Sequence, residues 1–511
     1  MKNKIYLIVL ALFSICINQY FANRGVFPID NFLIFDAAFN INNGNHPFKD
    51  YWLITGPFLD YIQSLLFLLF GVNWFSYVLH ASIINMIFTL FSFYFFINIG
   101  LKNYYAFIYS LGISILAYPS IGSPFIDHHA VFFSIMAMYS LSLAILKQKN
   151  LFWFLTPVFI TISFFSKQIP SSYLLLLFFI TFFYFLLKKK INNKNLLYLF
   201  LGLLFSFFTI VSIFYINEIP FKNFLVQYIL YPLSLGEERI DRLEINFNNL
   251  INQFKFIYLA LAPMALCLFF YKKMEKREFI ISLFFLSSIL TIIYCQLLTK
   301  NQILIFSLIP ISAALSHAYI LKNFNKKYFV YFILIIFIFS TVKYHIRFNH
   351  NKKFIELVNA NFNLAEDVSV LDQRLKGIKW ITPQYIDSPT DEINLLVNTK
   401  KILLENKSRK IIITDYQFFT SLTNSNFASP NKWYDELSTP SKENKYYKNY
   451  KNFFLSKINE NKIEYMYFIG ENKSKMEFFI EFKNKNKCLV PKKFNEILLE
   501  FNLRNCIKVE L

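Results

Sequence analysis

Glycine is scarce in this chain, and its scarcity excludes several kinds of site. The 511 residues include 11 Gly. No segment reads G-x-G-x-x-G or G-x-x-x-x-G-K, the loops whose backbone amides cradle nucleotide phosphates. Neither a nucleotide-sugar donor nor an ATP-driven motor is therefore supported. The 5 Cys show no spacing typical of a metal site.

Apolar residues are abundant instead. They make up 55% of the chain and aromatic residues 20%, so a soluble globule would expose an implausible apolar area. Most Phe residues precede residue 348, and beyond it Lys, Asn and Glu dominate. We therefore expect a membrane domain over residues 1–347 and a water-facing domain over residues 348–511.

Stretches long enough to cross the hydrocarbon core, about 17–25 residues, recur along the first domain. About eleven are expected to span, at residues 5–22, 74–99, 104–121, 129–146, 151–167, 170–187, 196–216, 254–271, 279–298, 302–321 and 328–346. Residues 57–71 are better explained as a helix at the outer interface, because counting them as a span would reverse every later segment. Residues 5–22 also fit a signal peptide, but no clear small-x-small cleavage site follows.

The charged connectors orient these spans. The net charge of +20 does not indicate a nucleic-acid partner, because basic residues gather in short connectors rather than on one face. Lys-rich connectors, such as 188–190, alternate with connectors that hold most of the acids. By the positive-inside rule the N-terminus is cytoplasmic and the tail is exported. We expect a multi-pass protein of the bacterial cytoplasmic (inner) membrane with a periplasmic C-terminal domain.

The tail mixes helix-like and strand-like segments. Residues 394–407 suit a helix, 411–414 form a β-branched run, and Tyr465–Ile469 and 478–482 are further apolar runs. The expected fold is an all-α polytopic membrane bundle with outer-face interfacial helices and a C-terminal exported α/β domain. Cys488 and Cys506 can pair in an oxidising compartment if their Cα separation allows it.

The first outer loop is rich in acids. Asp30 and Asp36 are six residues apart, so on a helix they differ by about 240° and cannot share one face. Asp36 and Asp60 are expected to be solvated charges or helix N-caps. Asp30 follows a span in an aromatic setting, where a carboxylate is costly unless it is used. It could accept a proton from a hydroxyl while a phosphate leaves.

A spaced pattern extends from Asp30. A small pair follows at Ala37 and Ala38 and a Gly at Gly44, then Pro-aromatic-x-Asp ending at Asp50, then Gly56-Pro57 before a helix ending in Phe70-Gly71. This pattern resembles the membrane glycosyltransferases of the C-type fold. The nearest branch holds the protein O-mannosyltransferases, the lipid A aminoarabinose transferase and the bacterial lipopolysaccharide sugar transferases.

The resemblance covers roughly residues 5–346. It implies that Asp30 is the catalytic base and that 57–71 lies at the interface. Members commonly have Asp-Glu where this chain has Asp30-Asn31, which puts in doubt any role that needs two adjacent carboxylates. Asp50 matches the second acidic position, and it either acts in the site or holds the loop together.

Asp127, His128 and His129 stand together at the start of a span. Neighbouring side chains on a helix point about 100° apart, so two adjacent His rarely bind one metal and a zinc site is not expected. Asp127 with His128 could bind an acceptor hydroxyl, orient the donor phosphate or help to hold a divalent ion. Hydrogen bonding at a helix start is the structural alternative.

Lys167 and Lys300 fall on the outer side, against the positive-inside bias. A lipid-linked phosphate is one reason for such cations, and snorkelling to headgroups is another. The resemblance associates a basic residue before a late Pro-containing helix, here Lys300 before Pro310, with the donor phosphate. Lys300 is therefore the first choice and Lys167 the second.

These observations lead to one hypothesis and its rivals. The hypothesis is transfer of a hexose or pentose from a polyprenyl-phosphate donor to a glycan, lipid or protein acceptor, with inversion. A divalent cation is the one cofactor left open; the metal is unknown. The rivals are a polysaccharide polymerase or ligase, which usually depends on Arg and His in a large outer loop, and a transporter, which predicts charges in mid-span.

Overall fold

The computed structural model describes residues 2–24, 28–119, 121–241, 243–269, 274–300, 302–324, 327–353, 357–470, 473–486, 489–504 and 506, without the side chains of residues 2, 3, 28–30, 237, 238, 302, 303 and 324. Over these residues the chain is mostly helical, with a small sheet region in its C-terminal part. This confirms the helical membrane-type character expected from the composition.

Long helices fill the first 350 residues because apolar runs with few Gly or Pro satisfy their backbone hydrogen bonds internally. The first nine are α1 (Lys2–Ala22), α2 (Pro28–Asn42), α3 (Pro57–Phe70), α4 (Trp74–Asn98), α5 (Asn103–Leu116), α6 (Ile126–Lys147), α7 (Asn150–Ser166), α8 (Ser171–Leu187) and α9 (Asn193–Ile216). Three short helices follow: α10 (Phe221–Phe224), α11 (Tyr231–Ser234) and α12 (Gly236–Asp241). Four longer ones complete this region: α13 (Lys255–Phe269), α14 (Lys276–Thr299), α15 (Leu308–Phe324) and α16 (Lys327–Tyr344).

Six helices in the described part of the chain are long and apolar enough to cross a membrane. They are Lys4–Ala22, Trp74–Asn98, Ile126–Lys147, Asn193–Ile216, Lys276–Thr299 and Lys327–His350. Helices α3, α7, α8 and α13 are apolar but shorter. Each predicted span overlaps one helix, but the count of eleven stays a prediction.

The residues form two compact units, each assembled from separated parts of the chain. The first unit comprises Met1–Ala22, Ala81–Val211 and Arg239–Phe354, and the second comprises Asn23–His80, Ser212–Glu238 and Ile355–Leu511. The boundary expected at residue 348, between a membrane and an exported domain, stays a prediction.

Helix α6 forms the centre of the first unit. Every side chain from Ile126 to Ile145 is buried, and α7 packs along it. The Ser163 hydroxyl of α7 donates to the Ala130 carbonyl of α6 at 2.7 Å, so small polar residues let the two backbones approach closely.

The end of α1 is fixed by a close backbone approach. Gly122 has a φ of +75°, and a Cβ there would lie 2.6 Å from the Cα of Ala22. Only glycine combines that φ with that proximity. The Asn18 amide of α1 also donates to the Gly122 carbonyl at 2.9 Å.

A four-stranded sheet lies in the second unit. Its strands are β3 (Lys410–Thr414), β4 (Tyr465–Ile469), β5 (Pro491–Lys493) and β6 (Leu498–Asn502), in the order β3-β4-β6-β5. β3 and β4 are parallel, and the other neighbours are antiparallel. A separate antiparallel pair joins β1 (Glu366–Asp367) to β2 (Lys379–Trp380).

The tail also contributes four helices to the second unit: α17 (Pro389–Glu405), α18 (Phe419–Leu422), α19 (Tyr447–Glu460) and α20 (Glu477–Lys485). The strand β3 over the β-branched run 411–414 and the helix α17 near 394–407 agree with the expectations, and the apolar run Tyr465–Ile469 forms β4. Residues 478–482 lie in α20. Cys506 is disulfide-bonded, and Cys488 lies outside the described residues.

The core of the second unit joins the tail to outer-loop residues. Phe454 of α19, Phe468 of β4 and Phe478 of α20 are buried together with Trp52 and Tyr231. The Trp52 and Tyr450 rings meet edge to face at 5.3 Å. The tail therefore does not build this core from its own residues alone.

Candidate functional site

Asp30 lies in the first turn of α2, which begins at Pro28. Proline suits that position because its missing N–H would have no partner in the first turn. The Asp30 side chain lies outside the described residues, so its predicted role as base stays a prediction.

Asp50 closes a tight turn in the first outer loop. Its carboxylate accepts a hydrogen bond from the His46 backbone N–H at 2.8 Å, and its own N–H donates to the His46 carbonyl at 2.9 Å. Phe48, between them, has a φ of +66°, a conformation that side chains rarely adopt unless the surroundings hold it. Of the two roles left open for Asp50, this geometry favours holding the loop together.

Asp127 and Lys167 form a buried ion pair in the first unit. Asp127 lies in the first turn of α6, and Lys167 directly follows the last residue of α7. Because the two helices pack antiparallel, these ends meet. Lys167 Nζ lies 2.6 Å from Asp127 Oδ1, and the side chains are 10% and 3% exposed, respectively. The structure thus joins two residues that the sequence suggested separately.

His128 is enclosed by rings. Its own ring lies 4.9 Å from Tyr118, 5.9 Å from Phe125 and 5.9 Å from Phe132. Neither ring nitrogen has a hydrogen-bond partner among the described residues, and the side chain is fully buried. His129, in contrast, donates a hydrogen bond from its Nδ1 to the Phe125 carbonyl at 2.9 Å.

Lys300 caps the end of α14 with a φ of +56°. Its Nζ lies 3.6 Å from Glu244 Oε1, and both side chains are more than half exposed. An exposed pair of this kind contributes about 0–1 kcal/mol. Because this ion pair is weak, the Lys300 ammonium can exchange Glu244 for another anion.

Lys300 and the buried pair lie at the same end of the first unit. Helix α8 begins just after Lys167, and its Tyr173 ring contacts Tyr294 near the end of α14 at 6.0 Å. Phe178, further along α8, contacts Phe284, which is earlier in α14. The two helices are therefore antiparallel, and the end of α14 that carries Lys300 lies beside the start of α8.

A second group of charges lies in the second unit and was not expected. Lys432 Nζ lies 2.6 and 2.7 Å from the two carboxylate oxygens of Asp60, and both side chains are almost completely buried. Asp36 is partly buried in the same region, where its charge acts on that of Lys432. We call Asp36, Asp60 and Lys432 the buried charge cluster.

The expectation that Asp60 is a solvated charge is wrong, because it is fully buried. One feature of the sequence pointed to this, since Asp60 is the one charged residue in the largely apolar helix α3. Burial raises the pKa of Asp36 to about 6 and also raises the pKa of Asp60 against the opposing Lys432 charge. Burial lowers the pKa of Lys432.

The described residues contain no group of three or more His, Cys, Asp or Glu side chains able to hold a metal ion. The question of a divalent cation therefore stays open. No protein-family model matches the chain, and no curated protein matches it.

Proposed function

We propose that the protein transfers a sugar from a polyprenyl-phosphate donor to an acceptor hydroxyl. The observation that carries this proposal is the Asp127–Lys167 pair, which is buried at the end of two apolar helices. A charge pair in such a place costs desolvation energy, and membrane proteins keep such pairs mainly where they bind or transport something.

The donor phosphate is assigned to the two lysines. Lys300 is exposed and weakly paired, so it can contact a phosphate as the donor arrives. Lys167 already has one carboxylate partner, and a phosphate oxygen can add to its remaining N–H donors. Leaving-group charge then builds up beside two cations, which is where electrostatic stabilisation lowers the barrier.

The acceptor chemistry is assigned to acids. Asp30 takes the proton of the attacking hydroxyl, and the oxygen displaces the phosphate at the anomeric carbon, which inverts that centre. Asp127 and His128 orient the acceptor, and Asp50 keeps the first outer loop in shape. The acceptor itself is a glycan, lipid or protein.

The topology is part of the same proposal. Eleven spans, a cytoplasmic N-terminus and a periplasmic tail would bring Asp127, Lys167 and Lys300 to the outer face of the cytoplasmic membrane. Helix α3 would lie at the interface. Leu65, Leu68, Leu69 and Phe70 of α3 are more than half exposed while Asp60 and Gln63 are buried, an arrangement that suits contact with lipid.

The test measures sugar transfer in membranes that are supplied with polyprenyl-phosphate sugars. We expect Asp30→Asn to abolish transfer and Lys300→Ala to reduce it about 100-fold, the usual effect of losing one charge-stabilising group. Arg277→Ala is the matched control. Arg277 also lies near one exposed glutamate, Glu275, at 4.0 Å, but at the opposite end of α14 from Lys300. Full transfer by Asp30→Asn would refute the assignment of the base.

A further inference from the structure

The backbone around residue 431 delivers Lys432 to the first outer loop. The Trp52 N–H donates to the Pro430 carbonyl at 2.8 Å, and the Lys432 N–H donates to the Trp52 carbonyl at 3.1 Å. The Gln417 amide holds the next carbonyl, that of Lys432, at 2.7 Å. These bonds fix the Lys432 backbone, so the backbone alone already positions its side chain toward Asp60, without any contribution from charge attraction.

The Lys432 ammonium donates hydrogen bonds to both carboxylate oxygens of Asp60. Asp60 is in the first turn of α3, where the helix dipole already favours a negative charge. Because water is excluded from both groups, neither charge can be hydrated if the other is removed. Each partner therefore depends on the other.

Asp36 leaves the cluster with one negative charge too many. Its carboxyl receives hydrogen bonds from neutral side chains, Asn40 on its own helix and Thr420 of α18. Asp60 keeps the ammonium, so Asp36 has no counter-charge of its own in the cluster. A proton on Asp36 would make the cluster neutral.

The elements around Asp36 supply few other charges. Helix α3 contributes Asp60 and Tyr61, the first outer loop contributes Tyr51, and α18 contributes no titratable side chain. Helix α4 contributes Tyr77, which packs on Phe35, and His80, which is hydrogen-bonded to Gln63 of α3. Ring contacts join the same elements: Phe35 of α2 meets Phe67 of α3 at 4.9 Å, and Phe32 meets Phe418 at 4.9 Å. These rings pack α2 against α3 and against Phe418, so a change in the cluster is expected to affect both helices.

We propose that the buried charge cluster is a proton-sensitive latch that holds α2 and α3 against residues 430–432. In it Lys432 is a positioning residue for α2, the helix that carries Asp30. The latch holds most firmly when the cluster has taken up one proton, and it loosens when Asp36 ionises. The inference concerns conformation and stands whether or not the protein transfers sugars.

The direction in which the stability of the latch changes with pH follows from the pKa values in the folded and unfolded states. Folding raises the pKa of Asp36 and that of Asp60 from 3.8 to about 6. Because the two carboxyls share the single ammonium of Lys432, the folded cluster binds one proton more tightly than the unfolded chain does. Stability from this proton is present at acidic pH and is lost as the pH rises through about 6. Between pH 8 and pH 5 the opening equilibrium of the latch should fall about ten-fold.

Hydrogen–deuterium exchange of the full chain in lipid nanodiscs, corrected for intrinsic rates, tests this directly. In the wild type, protection of residues 28–42 and 57–70 should rise about ten-fold from pH 8 to pH 5. Asp36→Asn should show the acidic level of protection at both pH values. Lys432→Met should lose protection at both, and Lys432→Arg should recover it.

Asp372→Asn is the control, because Asp372 is paired with Arg374 and Lys400 in the same unit and its pKa is lowered to about 2. It should keep the wild-type pH response of both helices. A wild type without a pH response in these helices, or an Asp36→Asn variant that keeps the full response, would overturn the proposal. These readouts need no substrate, so they fail or succeed separately from the transfer assay.

Discussion

Asp127 and Lys167 illustrate how a buried charge depends on its partner. With one removed, the other stays in a place that water does not reach. Removing one member of such a pair typically costs about 3–5 kcal/mol, whereas replacing both by neutral groups of similar size is often neutral.

We therefore predict that Asp127→Asn and Lys167→Met each lower the thermal stability of the purified protein, and that the double variant recovers most of the loss. Thermal unfolding in detergent measures this. The double variant should still fail to transfer sugar, since the charges are gone. If the single and double variants were equally unstable, the pair would not be coupled.

At the scale of elements, the approach of Gly122 to α1 makes a sharp prediction. In Gly122→Ala the new Cβ would meet the Ala22 backbone at 2.6 Å, so α1 must shift, at a cost of at least about 1–3 kcal/mol. Gly44→Ala is the matched control, because Gly44 has a φ of +81° and nothing within 4 Å of a Cβ. Gly44→Ala should lose only the stability that a side chain costs at positive φ, about 1–2 kcal/mol. The difference between the thermal shifts of the two variants then measures the cost of crowding at Gly122.

Helices and strands were predictable where the local pattern decides them. Apolar runs marked the long helices that were expected to span, and the β-branched run 411–414 marked the strand β3. Residues 478–482 left the type of element open, and the structure forms a helix there because their apolar side chains Phe478, Phe479 and Phe482 share one buried face. The local sequence pattern thus shows that a secondary-structure element forms, whereas packing decides whether it is a helix or a strand.

The candidate sites were predictable only in part. The Asp127 and Lys167 side chains were singled out because charges at span ends need a reason, but their contact depends on how two helices pack. Asp60 and Lys432 are separated by 372 positions, and no local signal connects them. Contacts of that range are set by the tertiary fold alone.

For the whole molecule, the proposed topology predicts which residues an impermeant thiol reagent can reach. With the free cysteines Cys16, Cys267 and Cys295 replaced by serine, Lys445→Cys should be labelled in intact cells. Lys102→Cys should be labelled only after the membrane is opened. Labelling of both in intact cells, or of neither, would contradict eleven spans with an exported tail.

The pairing of Asp60 with Lys432 also orders events during synthesis. At roughly 5–20 residues per second, the ribosome adds the 372 residues between them in roughly 20–75 seconds. Throughout that interval the Asp60 carboxylate has no ammonium to meet and must remain hydrated. The first outer loop, although made early, would thus reach its final form among the last parts of the protein, after most of the tail has emerged.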